Sequence, residues 1–247
     1  MLQGREGGIG IAIAIGLASS GADVAISART VSELNETANE ITKQGRKALV
    51  VPADLSDISQ VKSIPATVVN EFGEIDILFC SAGMSIVSPA IEATVRDWDT
   101  MMAVNLISQF FLTQAVGKIM IEKALRGSII FTTSEVADLA ENDVGAYCPS
   151  KGGLKMVAKV LASEWGRYGI RVNCLAPCFI NTRINEPLFH GATEGLRDFY
   201  DGKLKRAPLG GPGESEDLVG ATVFLASDSA SFVSGTTILC DGGYTAH

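Results

Sequence analysis

Short apolar runs alternate with longer segments of helical periodicity along the whole chain. Leu34, Ala38 and Ile41 recur at helical spacing with charged residues between them, which predicts an amphipathic helix over 31–44. The run DVAISA at 23–28 is typical of a short strand buried on both faces. The same patterns predict strands at 47–53, 76–82, 128–133, 171–177 and 236–241, and helices at 9–21, 57–72, 96–123, 145–169 and 215–226.

This alternation predicts an α/β fold in which helices cover both faces of a parallel sheet. The 247 residues suit one large domain, and the sequence shows no internal repeat, low-complexity tract or linker. We therefore expect a single Rossmann-like, doubly wound domain over 1–247. The mixed, polar segment 183–206 is typical of a lid over a substrate site.

Composition narrows the classes of partner. The net charge of −8 argues against nucleic acid and against anionic membranes. No apolar run reaches the ~20 residues that a membrane helix needs. The five cysteines show no CxxC pair, which fits reduced thiols in a cytoplasmic protein. With only two histidines, His190 and His247, we expect neither a histidine metal site nor a Ser-His-Asp triad, and no metal at all.

A glycine-rich segment, QGREGGIG, opens directly into the first apolar helix. Its glycines Gly4, Gly8 and Gly10 would allow a tight turn and close approach of a ligand. The free N–H groups and partial positive charge of a helix N-terminus suit a pyrophosphate. Taken alone, the motif is equally compatible with a structural turn between a strand and a helix.

A possible proton-transfer pair lies in AYCPSKGG. Tyr147 and Lys151 are four residues apart on a predicted helix and share a face. A nearby ammonium group favours the phenolate and would lower the tyrosine pKa toward a useful range for a base. Ser134 precedes Tyr147 by thirteen residues, and Asn105 lies in the predicted helix 96–123. Singly, Ser134 could be a strand-end turn and Asn105 a buried polar residue that bends its helix.

Together, and in this order, these motifs resemble the short-chain dehydrogenase/reductase family over nearly the whole chain. The family's TGxxxGIG loop is matched by Gly4, Gly8, Ile9 and Gly10, with Gln3 in place of its threonine or serine. The resemblance implies that these residues bind the pyrophosphate of a nicotinamide dinucleotide.

The resemblance also implies a mechanism of hydride transfer between a nicotinamide and a carbinol carbon. Tyr147 would exchange the hydroxyl proton, and Ser134 would orient the substrate oxygen. Lys151 would lower the tyrosine pKa and bind the nicotinamide ribose. Asn105 would support the path of the proton to solvent through a bound water.

The cofactor is expected to be NADP(H), with NAD(H) possible. Where the family carries an acid for NAD, this chain has Ala28 followed by Arg29. Arg29 can form charge-assisted bonds with a 2′-phosphate, and Ser27 and Thr30 can add hydroxyl donors. Alternatively, Arg29 only begins a solvated helix. By resemblance, further cofactor contacts come from Asp54, Leu55, Ser81, Ala82, Gly83, Pro177, Ile180 and Thr182, with Ser81 replacing the family's asparagine and Cys178 its glycine.

Substrate choice should depend on 135–145 and on the lid. The carboxylates of Glu135, Asp138, Glu141 and Asp143 could bind the hydroxyls of a polyol or a sugar, or they could form a solvated loop. The main hypothesis is an NADP(H)-dependent oxidoreductase acting on a secondary alcohol or ketone of a small polar substrate, such as a sugar acid or polyol.

Two alternatives remain open. A 3-oxoacyl-[acyl-carrier-protein] reductase would need a basic patch for its acidic partner, and Lys203, Lys205 and Arg206 are the local hint. A non-catalytic nucleotide sensor would keep the fold without turnover. By resemblance the chain forms a homotetramer, or a homodimer, through the helices at 96–123 and 145–169.

The first strand is expected to be short. In the family it lies between the second and fourth strands, and here Met1, Leu2 and Gln3 can supply only its last residues. We therefore expect either a natural start further upstream, or a weakened first strand with an impaired or mobile phosphate loop.

Overall fold

The computed structural model describes residues 2–3, 8–182, 202 and 204–246. Its strands are β1 (Leu2–Gln3), β2 (Val24–Ser27), β3 (Ala48–Val50), β4 (Ile77–Cys80), β5 (Gly127–Thr132), β6 (Ile170–Pro177) and β7 (Thr237–Cys240). They form one parallel sheet in the order β3-β2-β1-β4-β5-β6-β7. The order reverses direction between β1 and β4, and such a switch point opens a crevice at the carboxyl edge of the sheet.

Helices cover both faces of this sheet. They are α1 (Ile9–Ser19), α2 (Val31–Lys43), α3 (Ile58–Phe72), α4 (Val95–Met102), α5 (Ser108–Glu122), α6 (Tyr147–Trp165) and α7 (Val219–Ala226). One hydrophobic cluster joins the sheet to α3, α5 and α6, and a second joins it to α1, α2 and α7. The expected doubly wound α/β architecture is therefore confirmed.

The strands read as continuous apolar runs because both of their faces are buried. In β4, Leu78 and Cys80 pack into the first cluster while Phe79 packs into the second. In β5, Ile129 and Ile130 likewise pack into opposite clusters. A strand alternates its side chains between faces, so burial on both sides removes the apolar–polar alternation seen in half-exposed strands.

The helix predicted at 96–123 is interrupted in the structure. Between α4 and α5 the backbone makes a π-helical turn over Ala103–Ile107. By length and composition alone, Val95–Glu122 is one described segment that could cross a membrane. Here Leu112, Val116 and Met120 of α5 are buried against the sheet and neighbouring helices, which is the packing of a core helix.

The first strand occupies the central position expected of it but is only two residues long. Leu2 pairs with Ile26 of β2 and with Phe79 of β4, and Gln3 pairs with the next residue of each strand. This short ladder connects the β2–β3 part of the sheet with the β4–β7 part.

Candidate active site

The four predicted catalytic residues come together at the carboxyl edge of β4 and β5. Ser134 follows β5, Tyr147 and Lys151 lie in the first turns of α6, and Asn105 lies in the π-helical turn. Ser134, Tyr147 and Lys151 line one cavity of about 220 Å³. We refer to it as the reaction cavity.

Asn105 connects three parts of this edge. It is completely buried. Its Nδ2 donates to the Met84 carbonyl at 2.9 Å and to Ser150 Oγ at 3.1 Å, and its Oδ1 accepts from the Met84 N–H at 2.9 Å. The extra residue of a π turn often occurs at functional sites, and here it places an amide between the segment after β4 and helix α6.

The ammonium group of Lys151 is enclosed at the base of the cavity. Its Nζ donates to the Thr132 carbonyl at 2.8 Å. Burial lowers the pKa of Lys151 to about 8. A Cβ atom at position 83 would lie 3.3 Å from this Nζ and 3.7 Å from Asn105 Oδ1, so Gly83 leaves room where these side chains approach the backbone.

The electrostatics of Tyr147 differ from the expectation. Burial raises the pKa of its hydroxyl, the charge of Glu135 raises it further, and hydrogen bonding with Ser134 opposes both. The ammonium group of Lys151 lies 5.7 Å from the centre of the tyrosine ring. Because that group is turned toward the Thr132 carbonyl, the predicted lowering of the tyrosine pKa by Lys151 is not what this structure shows.

The four carboxylates of the segment 135–145 lie in two different places. Glu135, Glu141 and Asp143 line the reaction cavity, whereas Asp138 forms an ion pair with Lys155 on the outer side of α6. Glu141 Oε1 accepts a hydrogen bond from the Tyr244 hydroxyl at 2.8 Å. Neither the pocket hypothesis nor the solvated-loop hypothesis therefore describes the whole segment.

Glu135, one of the four carboxylates named from the sequence, contacts the predicted catalytic residue Ser134 directly, and the sequence analysis did not predict this contact. Its Oε2 accepts a hydrogen bond from Ser134 Oγ at 2.5 Å, and only 6% of the residue is exposed. Burial raises the pKa of this carboxyl group. The signal in the sequence was its position immediately after the serine.

A second cavity of about 270 Å³ lies beside the first and is lined by predicted cofactor residues. Arg29 faces Asp54 there: hydrogen bonds from Ser56 hold the Asp54 pKa below its usual range, and the Arg29 charge adds to this effect. Further lining residues are Thr30, Leu55, Ala82 and Gly83. Gly83 lines both cavities, so they adjoin each other at the carboxyl edge, and we refer to the pair as the groove.

The start of α1 faces the same groove. Gly8 is the N-cap residue, and it supplies no side-chain acceptor to the first helical turn, where Ile9 and Gly10 follow. A Cβ atom at Gly8 would lie 3.4 Å from Thr182 Cγ2. Uncapped amides at a helix N-terminus are suited to an external phosphate, so the described part of the loop fits a dinucleotide. Gly4 lies outside the described residues.

The remaining predicted contacts lie around the reaction cavity. Ser81, Pro177, Ile180 and Thr182 all line the reaction cavity together with Ile9. Next to Ser81, where the family has asparagine, the amide of Gln109 donates to the Ala82 carbonyl at 3.1 Å. This bond connects the end of β4 to α5.

Most of the predicted lid, including Lys203, lies outside the described residues. Of the proposed basic patch, Arg206 donates to the Tyr244 hydroxyl at 3.1 Å, and its guanidinium group lies 4.4 Å from the centre of that ring. Within the described ranges, no group of three or more histidine, cysteine or acidic residues is arranged to hold a metal ion.

These features define a dinucleotide-dependent oxidoreductase. They are a Rossmann-type sheet, a helix at its switch point that begins after a glycine, and the Ser134–Tyr147–Lys151 set beside it. The chain belongs to the short-chain dehydrogenase/reductase family: a family model described as enoyl-(acyl carrier protein) reductase matches residues 4–245.

Several relatives within this family are named as dehydrogenases of sugar acids or of a polyol. Gluconate 5-dehydrogenase of Gluconobacter oxydans is 37% identical over 99% of this chain and 93% of its own. D-threitol dehydrogenase of Mycolicibacterium smegmatis is 37% identical over 99% of this chain and 92% of its own. The crystal structure of a gluconate 5-dehydrogenase from Burkholderia cenocepacia, in complex with NADP and tartrate, matches with a TM-score of 0.91 and 33% identity, covering 99% of this chain and 94% of that one.

Proposed function

We propose that this protein is an NADP(H)-dependent dehydrogenase of a sugar acid, a polyol or a similar small polar substrate. It transfers hydride between the nicotinamide and a secondary alcohol or ketone. The observation that carries the proposal is that the reaction cavity, lined by Ser134, Tyr147 and Lys151, adjoins the second cavity, which is lined by Arg29. The relatives named for gluconate and D-threitol support this substrate class.

The proposed cofactor supplies or accepts the hydride when bound. In reduction, the Tyr147 hydroxyl donates a proton to the substrate carbonyl oxygen, and in oxidation its phenolate takes the proton back. Ser134 donates a hydrogen bond to the same oxygen and stabilises the charge that develops on it. Lys151 keeps a positive charge close to this proton transfer, and its hydrogen bond to the Thr132 carbonyl holds it there.

Arg29 supports NADP(H) over NAD(H). Arg29 follows β2, and it lies near Asp54 in the second cavity. Position 28 is an alanine, so it has no carboxylate to accept a hydrogen bond from a free 2′-hydroxyl. Structures named for gluconate dehydrogenases with bound NADP are consistent with this preference.

A substrate panel tests the proposal. Purified protein is incubated with NADP⁺ or NAD⁺ and with sugar acids, sugar alcohols and small secondary alcohols, and reduced cofactor is followed by absorbance. In the reverse direction, NADPH is supplied with ketoses, keto acids and 3-oxoacyl thioesters. We expect turnover with a polyhydroxylated substrate, and loss of turnover with retained NADPH binding in Tyr147→Phe.

Other outcomes would favour the alternatives. Turnover restricted to 3-oxoacyl thioesters would identify a carrier-protein reductase, although the stacking of Arg206 on Tyr244 leaves less of a basic patch for that partner. Tight NADPH binding without turnover on any substrate would indicate a nucleotide sensor.

We further propose that the protein acts as a cytoplasmic homotetramer, or as a homodimer. Its five cysteines are all free thiols, which suits a reducing compartment. Exposed apolar side chains on α4 and α6, namely Val95, Trp98, Met156 and Val160, support an interface along these helices.

A further inference from the structure

Glu135 is a buried carboxyl group in direct contact with the serine that holds the substrate oxygen. Ser134 Oγ and Glu135 Oε2 are 2.5 Å apart, and the residue lines the reaction cavity together with Tyr147. The mechanism proposed above does not use it. A buried carboxyl group at this place needs an explanation, because removing a charged group from water is costly unless it is paired.

The described surroundings of Glu135 contain mostly acidic and neutral groups, and the one ammonium group among them, that of Lys151, is hydrogen-bonded to the Thr132 carbonyl. None of the four ion pairs found among the described residues includes it. Burial raises its pKa and the charge of Glu141 raises it further, whereas hydrogen bonds from Ser134, from its own backbone N–H and from the Cys178 thiol oppose this. The titratable groups facing it are Cys178 after β6, Glu141 and Asp143 from the segment before α6, and Tyr147 and Lys151 from α6.

The hydroxyl group of Ser134 has only one proton to donate. Ser134 Oγ and Glu135 Oε2 share a hydrogen bond of 2.5 Å, and an ionised Glu135 can only accept, so the serine must then supply the proton. A serine that donates to an ionised Glu135 cannot also donate to the substrate oxygen. A protonated Glu135 would reverse the bond, because its own O–H would then donate to Ser134 Oγ.

We propose that Glu135 is a positioning residue that works in its neutral form, donating a hydrogen bond to Ser134 Oγ so that Ser134 can donate to the substrate oxygen. The inference rests on the proposed dehydrogenase function and deepens it. Glu135, Ser134 and the substrate oxygen then form a short chain of hydrogen bonds that all point toward the developing negative charge.

The neutral form of Glu135 also changes the environment of Tyr147. The charge of Glu135 is one of the causes that raise the tyrosine pKa. When Glu135 carries its proton, this contribution disappears. The same protonation therefore favours both groups that act on the substrate oxygen.

The pH dependence of ketone reduction tests the proposal. The rate constant kcat is measured with NADPH from acid to alkaline pH for wild type, for Glu135→Gln and for Asp138→Asn. In wild type, kcat should fall by about tenfold per pH unit above the ionisation of Glu135, the slope of a single group. A glutamine side chain cannot ionise, and its amide donates to Ser134 Oγ at every pH, so Glu135→Gln should lack this decline.

Asp138→Asn is the matched control, since it removes a carboxylate from the same segment but outside the reaction cavity. It should keep the wild-type profile. A decline that persists unchanged in Glu135→Gln would overturn the proposal, as would a Glu135→Gln variant as inactive as Ser134→Ala at all pH values.

A double-mutant cycle separates positioning from a structural role. If Glu135 acts mainly through Ser134, replacing it with glutamine should change kcat and its pH profile much less in a Ser134→Ala background than in wild type, and the remainder should reflect the charge of Glu135 on Tyr147. NADPH affinity, followed by fluorescence, should be the same in all four proteins. An equal effect of Glu135→Gln with and without the serine would contradict the proposal.

Infrared spectroscopy supplies a readout that does not depend on turnover. The difference spectrum between wild type and Glu135→Gln at neutral pH should contain the C=O stretch of a protonated carboxylic acid. A carboxylate band in its place would overturn the proposal. A protein that shows the acid band but reduces no substrate would refute the proposed function while leaving Glu135 neutral, so the two failures are distinguishable.

Discussion

Lys151 lies in the protein interior with 2% of its surface exposed, and its ammonium group has the carbonyl of Thr132 as its acceptor. Its pKa of about 8 in the folded protein is below the ordinary value for lysine, near 10.4. The folded state therefore disfavours the charged form that the proposed chemistry uses. Shifted pKa values of this kind are common at functional sites.

This shift predicts a pH-dependent stability difference for Lys151→Met. Below pH 8, Lys151 is protonated in both the folded and the unfolded protein, so folding bears the full cost of burying its charge. Above the unfolded pKa, Lys151 is neutral in both states, and this cost disappears. Relative to Lys151→Met, the wild-type free energy of unfolding should rise between about pH 8 and about 10.4, by on the order of 3 kcal/mol. Urea unfolding across this range measures it.

The control for this experiment is Lys159→Met, which removes an exposed lysine from the same helix. Its stability should run parallel to that of wild type across the same pH range. If the stability of Lys151→Met also ran parallel to that of wild type, the folded protein would not lower the Lys151 pKa.

Arg29 should decide between the two cofactors. Its replacement by alanine removes the charge-assisted hydrogen bonds to a 2′-phosphate, which are worth about 1.5–3 kcal/mol. We expect NADPH affinity to fall by about 10- to 150-fold, while NADH affinity changes little. Fluorescence titration with both cofactors measures this ratio.

Arg46→Ala is the comparison for Arg29→Ala. Arg46 pairs with Asp23 at 2.9 Å and lines a separate pocket near the opposite ends of the strands. It should leave both affinities unchanged. Equal losses of NADPH and NADH affinity in Arg29→Ala would contradict its assignment to the 2′-phosphate.

At the scale of elements, α1 and α7 pack closely because Gly16 has no side chain. A Cβ atom there would lie 2.4 Å from Val219 Cγ1. The β-branched valine has little freedom to rotate away. Gly16→Ala should therefore destabilise the protein by about 1–3 kcal/mol through overpacking.

Two variants accompany Gly16→Ala. Gly220→Ala, one residue from Val219, meets nothing within 4 Å and should stabilise the protein by about 0.5–1 kcal/mol through helix propensity. Val219→Ala should recover much of the loss when combined with Gly16→Ala. Thermal unfolding compares wild type, Gly16→Ala, Gly220→Ala and the double variant. A Gly16→Ala protein as stable as wild type would show that the helices can separate without cost.

Element types were predictable from the sequence because continuous apolar strands and amphipathic helices have distinct periods. The ends of the elements were less predictable: the strand predicted at 47–53 is Ala48–Val50, although Val51 and Ala53 still donate to the carbonyls of Ile26 and Ala28. The π turn around Asn105 depends on contacts with Met84 and Ser150, distant in sequence. Spacing within one helix cannot reveal such contacts.

The site shows the same division. Tyr147 and Lys151 could be placed on one helical face by spacing alone. The contact of Glu135 with Cys178 depends on how the end of β5 meets the end of β6, which no local pattern records. The direction of the Tyr147 pKa shift was missed because burial, a property of the whole fold, raises this pKa and the charge of Glu135 raises it further.

On the scale of the whole molecule, the reaction cavity lies where the two parts of the sheet meet. The two residues of β1 provide the backbone pairing between β2 and β4. Hydrophobic clusters on both faces extend across this junction: Ala25 of β2 and Cys80 of β4 share one cluster, and Ile26 and Phe79 share the other. Side-chain packing thus supports a junction that has only a short hydrogen-bonded ladder.

The outer face of α6 should hold protomers together in the proposed oligomer. Met156 and Val160 lie four residues apart on one face of this helix, and both are exposed. Val160→Glu would place a charge in an apolar interface, where it loses its hydration without gaining a partner. We expect wild type to have the mass of a tetramer or dimer in light scattering, and Val160→Glu to have half of that mass or less.

Val31→Glu is the matched control, because Val31 on α2 is 48% exposed against 46% for Val160, and it should leave the mass unchanged. A monomeric wild type, or a Val160→Glu protein of unchanged mass, would show that this face is not the interface.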